Sequence, residues 1–270
     1  MKRLITICLA VGILLTASAN VKGDLIADPC LWLHFDSVVD GNTTTFDSSP
    51  RNHTPITFVG NAQLDTGVIP AVGTASLLLD GTGDYLTVGG PEADFDICAL
   101  DTDDWTVDFY VRHDDHAGTE YYVRHGAIGS LRWMIYHEDD GGTDGLAFTA
   151  GTIGSPQISL NAAGEIQDTD WHWIVLAKVG TEYALYKDGT QVSYTSDGDN
   201  PNASGVLYVG GSTAALTYLD GNMDELRIFH ANVFDAAPNS GLSDIITNVP
   251  EPATIALLGF GALSLIRRKK

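Results

Sequence analysis

From Trp105 to Arg112 the chain alternates, with Trp105, Val107, Phe109 and Val111 in one set of positions and Thr106, Asp108, Tyr110 and Arg112 in the other. Successive side chains of a strand point to opposite faces, so this is the pattern of a half-buried strand. Further strand-like runs lie at Leu31 to Phe35, Ile56 to Val59, Ser76 to Leu79, Tyr85 to Val88, Leu131 to Tyr136, Leu146 to Thr149, Trp171 to Val179, Tyr183 to Tyr186, Gln191 to Tyr194, Leu207 to Val209 and Asp224 to Phe229. No segment between them carries a helical stripe long enough to compete. The turn chemistry agrees: Asp188-Gly189 between two such runs is a hairpin signal, and Asp80-Gly81-Thr82-Gly83 is a second tight reversal. Many short strands at regular spacing predict an all-β sandwich. There is no internal repeat, Pro-rich linker or compositional break before residue 248, which predicts one domain over residues 24–235, followed by a tether at 236–248 (AAPNSGLSDIITN).

The two ends depart from this pattern. Residues 1–19 (MKRLITICLAVGILLTASA) have a basic start, an apolar run and small residues at Ala17 and Ala19, the form of a secretory signal peptide cleaved after Ala19. At the other end, residues 249–270 read VPEPATIALLGFGALSLIRRKK. Its apolar stretch, taken as a short helix, spans only about 21 Å, less than the roughly 30 Å hydrocarbon core, though long cationic side chains can snorkel. The four terminal cations favour the cytoplasmic side, leaving the body outside. Val249, Pro250, Glu251 and Pro252, followed by an apolar stretch and a basic tail, resemble the PEP-CTERM sorting signal of Gram-negative bacteria. The resemblance implies recognition by an exosortase-type membrane enzyme, transient anchorage in the inner membrane, and a destination in the cell envelope, cell surface or extracellular matrix of an exopolysaccharide-producing cell.

Charge narrows the partners. Between residues 24 and 248 there are 34 acidic against seven basic side chains, a net charge of −27. Such a body repels nucleic acid and anionic lipid. Removal of the signal takes Cys8 with it and leaves Cys30 and Cys98, an even count that permits a disulfide in an oxidising compartment without establishing one.

A second resemblance covers most of the body. It rests on LWLHFDS followed by the turn Asp47-Ser48-Ser49-Pro50-Arg51-Asn52, then LLLDGTGDYLTVGG, DWTVDFYVR, DTDWHWIVLAKVGTEYALYKDGTQV, and finally LYVGGS with LDGNMDELRIFHANVF. These stretches are similar in content and order to the laminin G-like modules of the concanavalin A-like lectin and glucanase superfamily. Departures are Leu79 in place of Phe, Pro50 where Gly is usual, and Trp173 where a second His is frequent. The resemblance implies a jelly-roll of two antiparallel sheets with the first and last strands adjacent. It also implies a structural calcium where those strands meet, which places Asp36 and Asp224 as side-chain ligands.

The candidate chemistry argues against catalysis. Retaining glycosidases need two carboxyl groups about 5–5.5 Å apart, and the Glu-x-Asp-x-x-Glu pattern by which glucanases of this fold supply them is absent. No Gly-x-Ser-x-Gly elbow occurs either. The acidic stretches 137–144 and 197–200 offer oxygen ligands without EF-hand spacing, and read first as solubilising turns. His113 and His116, with Asp114 and Asp115, suggest zinc by residue type, but that spacing suits a helix and the strand before them ends near Arg112, so they read as a solvated loop. Trp171 and His172 read as part of a buried central strand. Sugar rings are held by exposed aromatic faces with polar groups around them, and Tyr121, Tyr122, Trp133, Tyr136 and Tyr218 are the candidates. The expectation is a secreted, envelope-tethered, non-catalytic module that binds extracellular polysaccharide or a matrix protein. A purely structural matrix protein is the alternative and a glycoside hydrolase a more distant one.

Overall fold

The computed structural model describes residues 28–116, 118–126, 131–139, 145–152, 154–212 and 217–246. The expected signal peptide and the PEP-CTERM segment lie outside the described residues. The fold is all-β, built from two large antiparallel sheets. Its strands in chain order are β1 (Leu31–Leu33), β2 (Ile56–Val59), β3 (Gln63–Asp65), β4 (Ser76–Asp80), β5 (Tyr85–Val88), β6 (Trp105–His113), β7 (Glu120–His125), β8 (Arg132–Glu138), β9 (Gly145–Thr152), β10 (Ser155–Ala163), β11 (His172–Val179), β12 (Glu182–Lys187), β13 (Thr190–Ser196), β14 (Leu207–Val209), β15 (Gly211–Ser212), β16 (Thr217–Tyr218) and β17 (Asp220–Phe229). One sheet has eight strands, ordered β13-β12-β11-β6-β17-β4-β3 with β1 also paired to β17. The other has seven, ordered β10-β9-β8-β7-β14-β5-β2. The first and last strands are therefore adjacent, with Leu31 opposite Ile228 and Leu33 opposite Leu226.

The alternation read in β6 is realised: Val107, Phe109 and Val111 enter the interior between the sheets together with Leu33, Leu77, Phe148, Leu185 and Ile228. Gly221 lets β17 run tight against β6, where a Cβ would come within 2.1 Å of the Arg112 carbonyl oxygen. The continuous apolar run of β11 has a different cause from that of a one-sided strand. Ile174 and Leu176 face the interior, while Trp173, Val175 and Ala177 face outward into a second apolar cluster with Ala184, Tyr186, Phe234, Ala236 and Ile246. On that same side Asp108, fully buried, accepts hydrogen bonds from the Arg227 guanidinium and, at 3.1 Å, from Trp173 Nε1.

The cluster corrects the expectation of a tether at 236–248. The chain folds back over the eight-stranded sheet as far as Ile246, because the outward apolar residues of β11 and β12 need a cover. Ile246 N–H donates to the Gly189 carbonyl at 3.0 Å, Gln191 N–H to the Asp244 carbonyl at 3.1 Å, and the Tyr186 hydroxyl to Asp244 Oδ2 at 2.5 Å. The domain thus includes this strap.

Candidate functional site

The outer face of the seven-stranded sheet collects aromatic and cationic side chains. Interior-facing Val123, Ile135 and Val209 alternate with Arg124 on β7, Met134 on β8 and Tyr208 on β14, which stand opposite one another across the three strands. One step along, Tyr121 faces Tyr136, and Arg132 begins β8. Both guanidiniums are withdrawn from water, with Arg124 2% and Arg132 5% exposed. Arg124 Nη1 donates to Ser212 Oγ at 2.5 Å, and its guanidinium carbon lies 5.4 Å from the Tyr208 ring centroid. Its Nε and Nη2, and Nε and Nη1 of Arg132, are buried without a hydrogen-bond acceptor among the described residues.

Burial lowers the pKa of both arginines, and the Arg124 charge lowers that of Arg132 further. The groups that oppose this are the tyrosines Tyr121, Tyr208 and Tyr136, with no carboxylate among them. Among the described residues, the two buried cations have hydroxyls rather than carboxylates as their neighbours. Buried charges are otherwise paired.

The sequence-predicted aromatics divide. Tyr121 and Tyr136 are on this face, in a cluster with Met134 and Ala147, and half-buried Tyr218 stacks on Tyr85 with ring centroids 6.4 Å apart. Tyr122 and Trp133 do not belong here. Both are fully buried between the sheets, where the Tyr122 hydroxyl pairs with His113 Nε2 at 2.8 Å and Trp133 Nε1 donates to the Phe95 carbonyl at 2.7 Å. An irregularity in β7 between Tyr121 and Val123 turns Tyr122 inward beside Val123. Tyr208 and the two arginines were missed; the signal for the arginines was their rarity, two of seven cations in the body, with Arg132 inside a run that reads as a strand.

Asp36 and Asp224 meet the segment 72–74 from two sides at the join of the first and last strands. Asp224, buried, accepts from the N–H groups of Val72 and Glu225, each at 2.9 Å. Asp36, exposed, accepts from Thr74 N–H at 2.6 Å and Thr74 Oγ1 at 3.0 Å. Gly73 packs so close that a Cβ there would fall 2.2 Å from Asp36 Oδ1. Burial pushes the Asp224 carboxyl up to about 8, and the charges of Glu225 and Asp36 add to the rise. Glu225 itself turns away, accepting from Trp32 Nε1 and facing His34 Nδ1, each at 2.7 Å.

The disulfide expectation is corrected: Cys30 and Cys98 are free and buried in separate surroundings. Cys30 Sγ donates to the Asp94 carbonyl at 3.1 Å, while Cys98 sits beside Tyr183 and Lys178. The solvated-loop reading of His113 is likewise corrected. It ends β6 at 1% exposure, and burial, then the neighbouring His116, lowers its pKa to about 4.

A two-sheet, all-antiparallel sandwich with adjacent terminal strands defines the class. Residues 80–236 match the Concanavalin A-like lectin/glucanases superfamily through its Laminin_G_3 family, and the chain belongs to that family. Residues 248–270 match the PEP-CTERM protein-sorting motif, which marks export and sorting to the cell envelope. No curated protein matches the sequence. Among solved structures, the fold is similar to the botulinum neurotoxin serotype C1 binding domain (15% identity, 76% of this chain and 49% of that one, TM-score 0.55). It is also similar to the binding domain of botulinum neurotoxin DC in complex with SialylT (15%, 76% and 48%, TM-score 0.55). A third is domain 4 of AbnA, an extracellular arabinanase from Geobacillus stearothermophilus, in complex with arabinotriose (14%, 76% and 93%, TM-score 0.54). The chain spans about half the length of the toxin chains it matches. At these identities the likeness is one of fold.

Proposed function

We propose that this protein is an exported, envelope-tethered, non-catalytic module that binds an anionic polysaccharide on the outer face of its seven-stranded sheet. One observation carries the reading: Arg124 and Arg132 are buried among tyrosines with N–H groups that have no acceptor among the described residues. A uronate or similar acidic sugar supplies the missing acceptors through its carboxylate once the side chains that cover the guanidiniums move aside, while its C–H faces rest on Tyr208 and Tyr218. The sorting motif suits a module held at the surface of a polysaccharide-producing cell, processed by an exosortase-type enzyme. The similarity in fold to toxin binding domains and an arabinotriose-bound domain is in keeping with binding rather than turnover.

The test is a glycan array of neutral and acidic saccharides with the full-length protein, alongside a reducing-sugar release assay. Salt-sensitive binding of acidic glycans without release supports the proposal. Binding of neither class points to the purely structural alternative, and release would make the protein a hydrolase.

Calcium at the strand join is the second element of the proposal. The donor chemistry is in keeping with it: Asp36 and Asp224 offer carboxylate oxygens, and the Asp36 charge adds to the rise of the Asp224 carboxyl, a repulsion that a hard cation relieves. Calcium should raise the melting temperature, and Asp224→Asn should remove most of that rise. Equal melting of chelated and calcium-loaded protein at matched ionic strength would exclude the site.

A further inference from the structure

The chain crosses from the eight-stranded to the seven-stranded sheet between His113, which ends β6, and Glu120, which begins β7. His137, near the end of β8, stands opposite Glu120. All three side chains are within 3% of complete burial. One potential ligand atom from each, an imidazole nitrogen from His113 and His137 and a carboxylate oxygen from Glu120, falls within 4.8 Å of the others. His116, in the crossover itself, adds a fourth side chain, its ring centroid 5.2 Å from that of His113 and 6.0 Å from that of His137.

The outer hydrogen bonds of these rings bear on what the inner nitrogens can do. His116 Nε2 is 2.7 Å from the Asp168 carbonyl oxygen, and His137 Nδ1 is 3.2 Å from that of Gly118. A carbonyl can only accept, so both nitrogens carry the proton, and in the neutral ring the lone pair is left on His116 Nδ1 and His137 Nε2. His113 Nε2 pairs with the Tyr122 hydroxyl at 2.8 Å, which leaves Nδ1 for the cluster. There His113 Nδ1 faces Glu120 Oε2 at 2.6 Å, yet neither atom is oriented to make a hydrogen bond, and both are buried. The other carboxylate oxygen, Oε1, accepts from Asp220 N–H at 3.2 Å. Ring nitrogens anchored outward on oxygen atoms, with a carboxylate likewise held by its second oxygen, are the arrangement that orients ligands around a metal ion.

We infer that His113, Glu120 and His137, with His116 from the crossover, form a zinc site that pins the two sheets together where the chain passes between them. The donor set decides the metal. Three imidazoles and one carboxylate suit a borderline ion such as Zn²⁺, whereas calcium and magnesium take oxygen ligands. Ligands at about 2.0–2.1 Å around a tetrahedral centre are about 3.3 Å apart. Within the 4.8 Å cluster, closure on the ion takes side-chain adjustments on the order of 1 Å. The site is separate from the calcium proposed at Asp36 and Asp224, which differs in both place and donor chemistry.

Untagged, full-length protein should bind one equivalent of Zn²⁺ in a calorimetric titration, and in the Asp224→Asn protein, where the calcium response is removed, Zn²⁺ should raise the melting temperature while Ca²⁺ and Mg²⁺ should not. Co²⁺ in its place should give the intense visible absorption of a four-coordinate ion, a readout that does not depend on stability. His137→Ala should abolish binding. Because that residue is buried, His116→Ala in the crossover is the companion variant, expected to weaken binding at least tenfold with an unchanged circular dichroism spectrum. Tyr122→Phe, which removes only the outer partner of His113, should weaken it about tenfold or more. Asp224→Asn should leave zinc binding unaltered. Wild-type protein that takes up no stoichiometric Zn²⁺, or folded His116→Ala and His137→Ala proteins that bind it as wild type does, would overturn the inference.

Discussion

Phe234 is the residue through which the docking of the C-terminal strap can be weighed. It is 4% exposed and meets Trp173 edge to face, with ring centroids 5.2 Å apart and planes at 87°. Around it lie Val175, Tyr186, Ala236 and Ile246, so truncation leaves a cavity that the flat outer surface of a sheet cannot close by collapse. Phe234→Ala should therefore cost about 3–5 kcal/mol, of which the aromatic pair supplies on the order of 1 kcal/mol. Phe234→Leu retains most of the buried area and should cost about 1 kcal/mol. For a domain of this length the alanine variant should melt roughly 10 °C lower. Urea unfolding followed by tryptophan fluorescence measures this, with the midpoint shifted and the slope unchanged because the surface exposed on unfolding hardly alters. A loss below about 1 kcal/mol would mean that the strap does not hold the sheet, and that residues 236–246 are the tether their composition suggests.

Three other outcomes follow from buried polar groups. Arg227→Met leaves Asp108 charged and fully buried and should cost about 3–5 kcal/mol in the same assay, while the double variant Asp108→Leu/Arg227→Met should recover much of it. The intact mass of the exported protein should be that of the reduced form, with both thiols unreactive toward a thiol reagent until the protein is unfolded, since burial pushes Cys30 up to about 12 and holds Cys98 high as well. His172 is raised above its ordinary 6.5, first by its hydrogen bond with Asp188, while burial opposes the rise. A raised folded value means that its stabilisation is complete below pH 6.5 and is lost as pH climbs from there through the higher folded value, so His172→Asn should flatten the fall in melting temperature above pH 6.5.

What the sequence could reveal followed the distance over which each signal acts. The alternation of β6 and the Asp188-Gly189 turn are local and were legible directly. β7 was not, because its irregularity buries Tyr122 and Val123 on the same side and erases the period of two. β10 does alternate, with Ile158, Leu160 and Ala162 inward, but three modest apolar residues among polar ones made a faint pattern. Tyr122 and Trp133 were misplaced for a related reason: a one-residue change of register moves a side chain from one face to the other, and no composition reveals it. The strap had a signal in the wrong place. Its own residues are polar and look like linker, whereas the need for a cover was written in the outward Trp173, Val175 and Ala177 of β11. The histidine cluster joins residues 24 positions apart through a crossover between sheets, a relation that only the topology supplies.

The central claim is that the buried arginines exist to meet an anionic sugar. Its most direct measurement compares the affinity of the full-length protein for a uronic-acid oligosaccharide with that for the same oligosaccharide after its carboxyl groups are reduced to alcohols. A charge-assisted hydrogen bond contributes about 1.5–3 kcal/mol, so the acidic form should bind about 10- to 150-fold more tightly. That preference should collapse in Arg124→Met and Arg132→Met proteins of unchanged circular dichroism. Equal affinity for the two forms, or a preference that survives in both variants, would contradict the account.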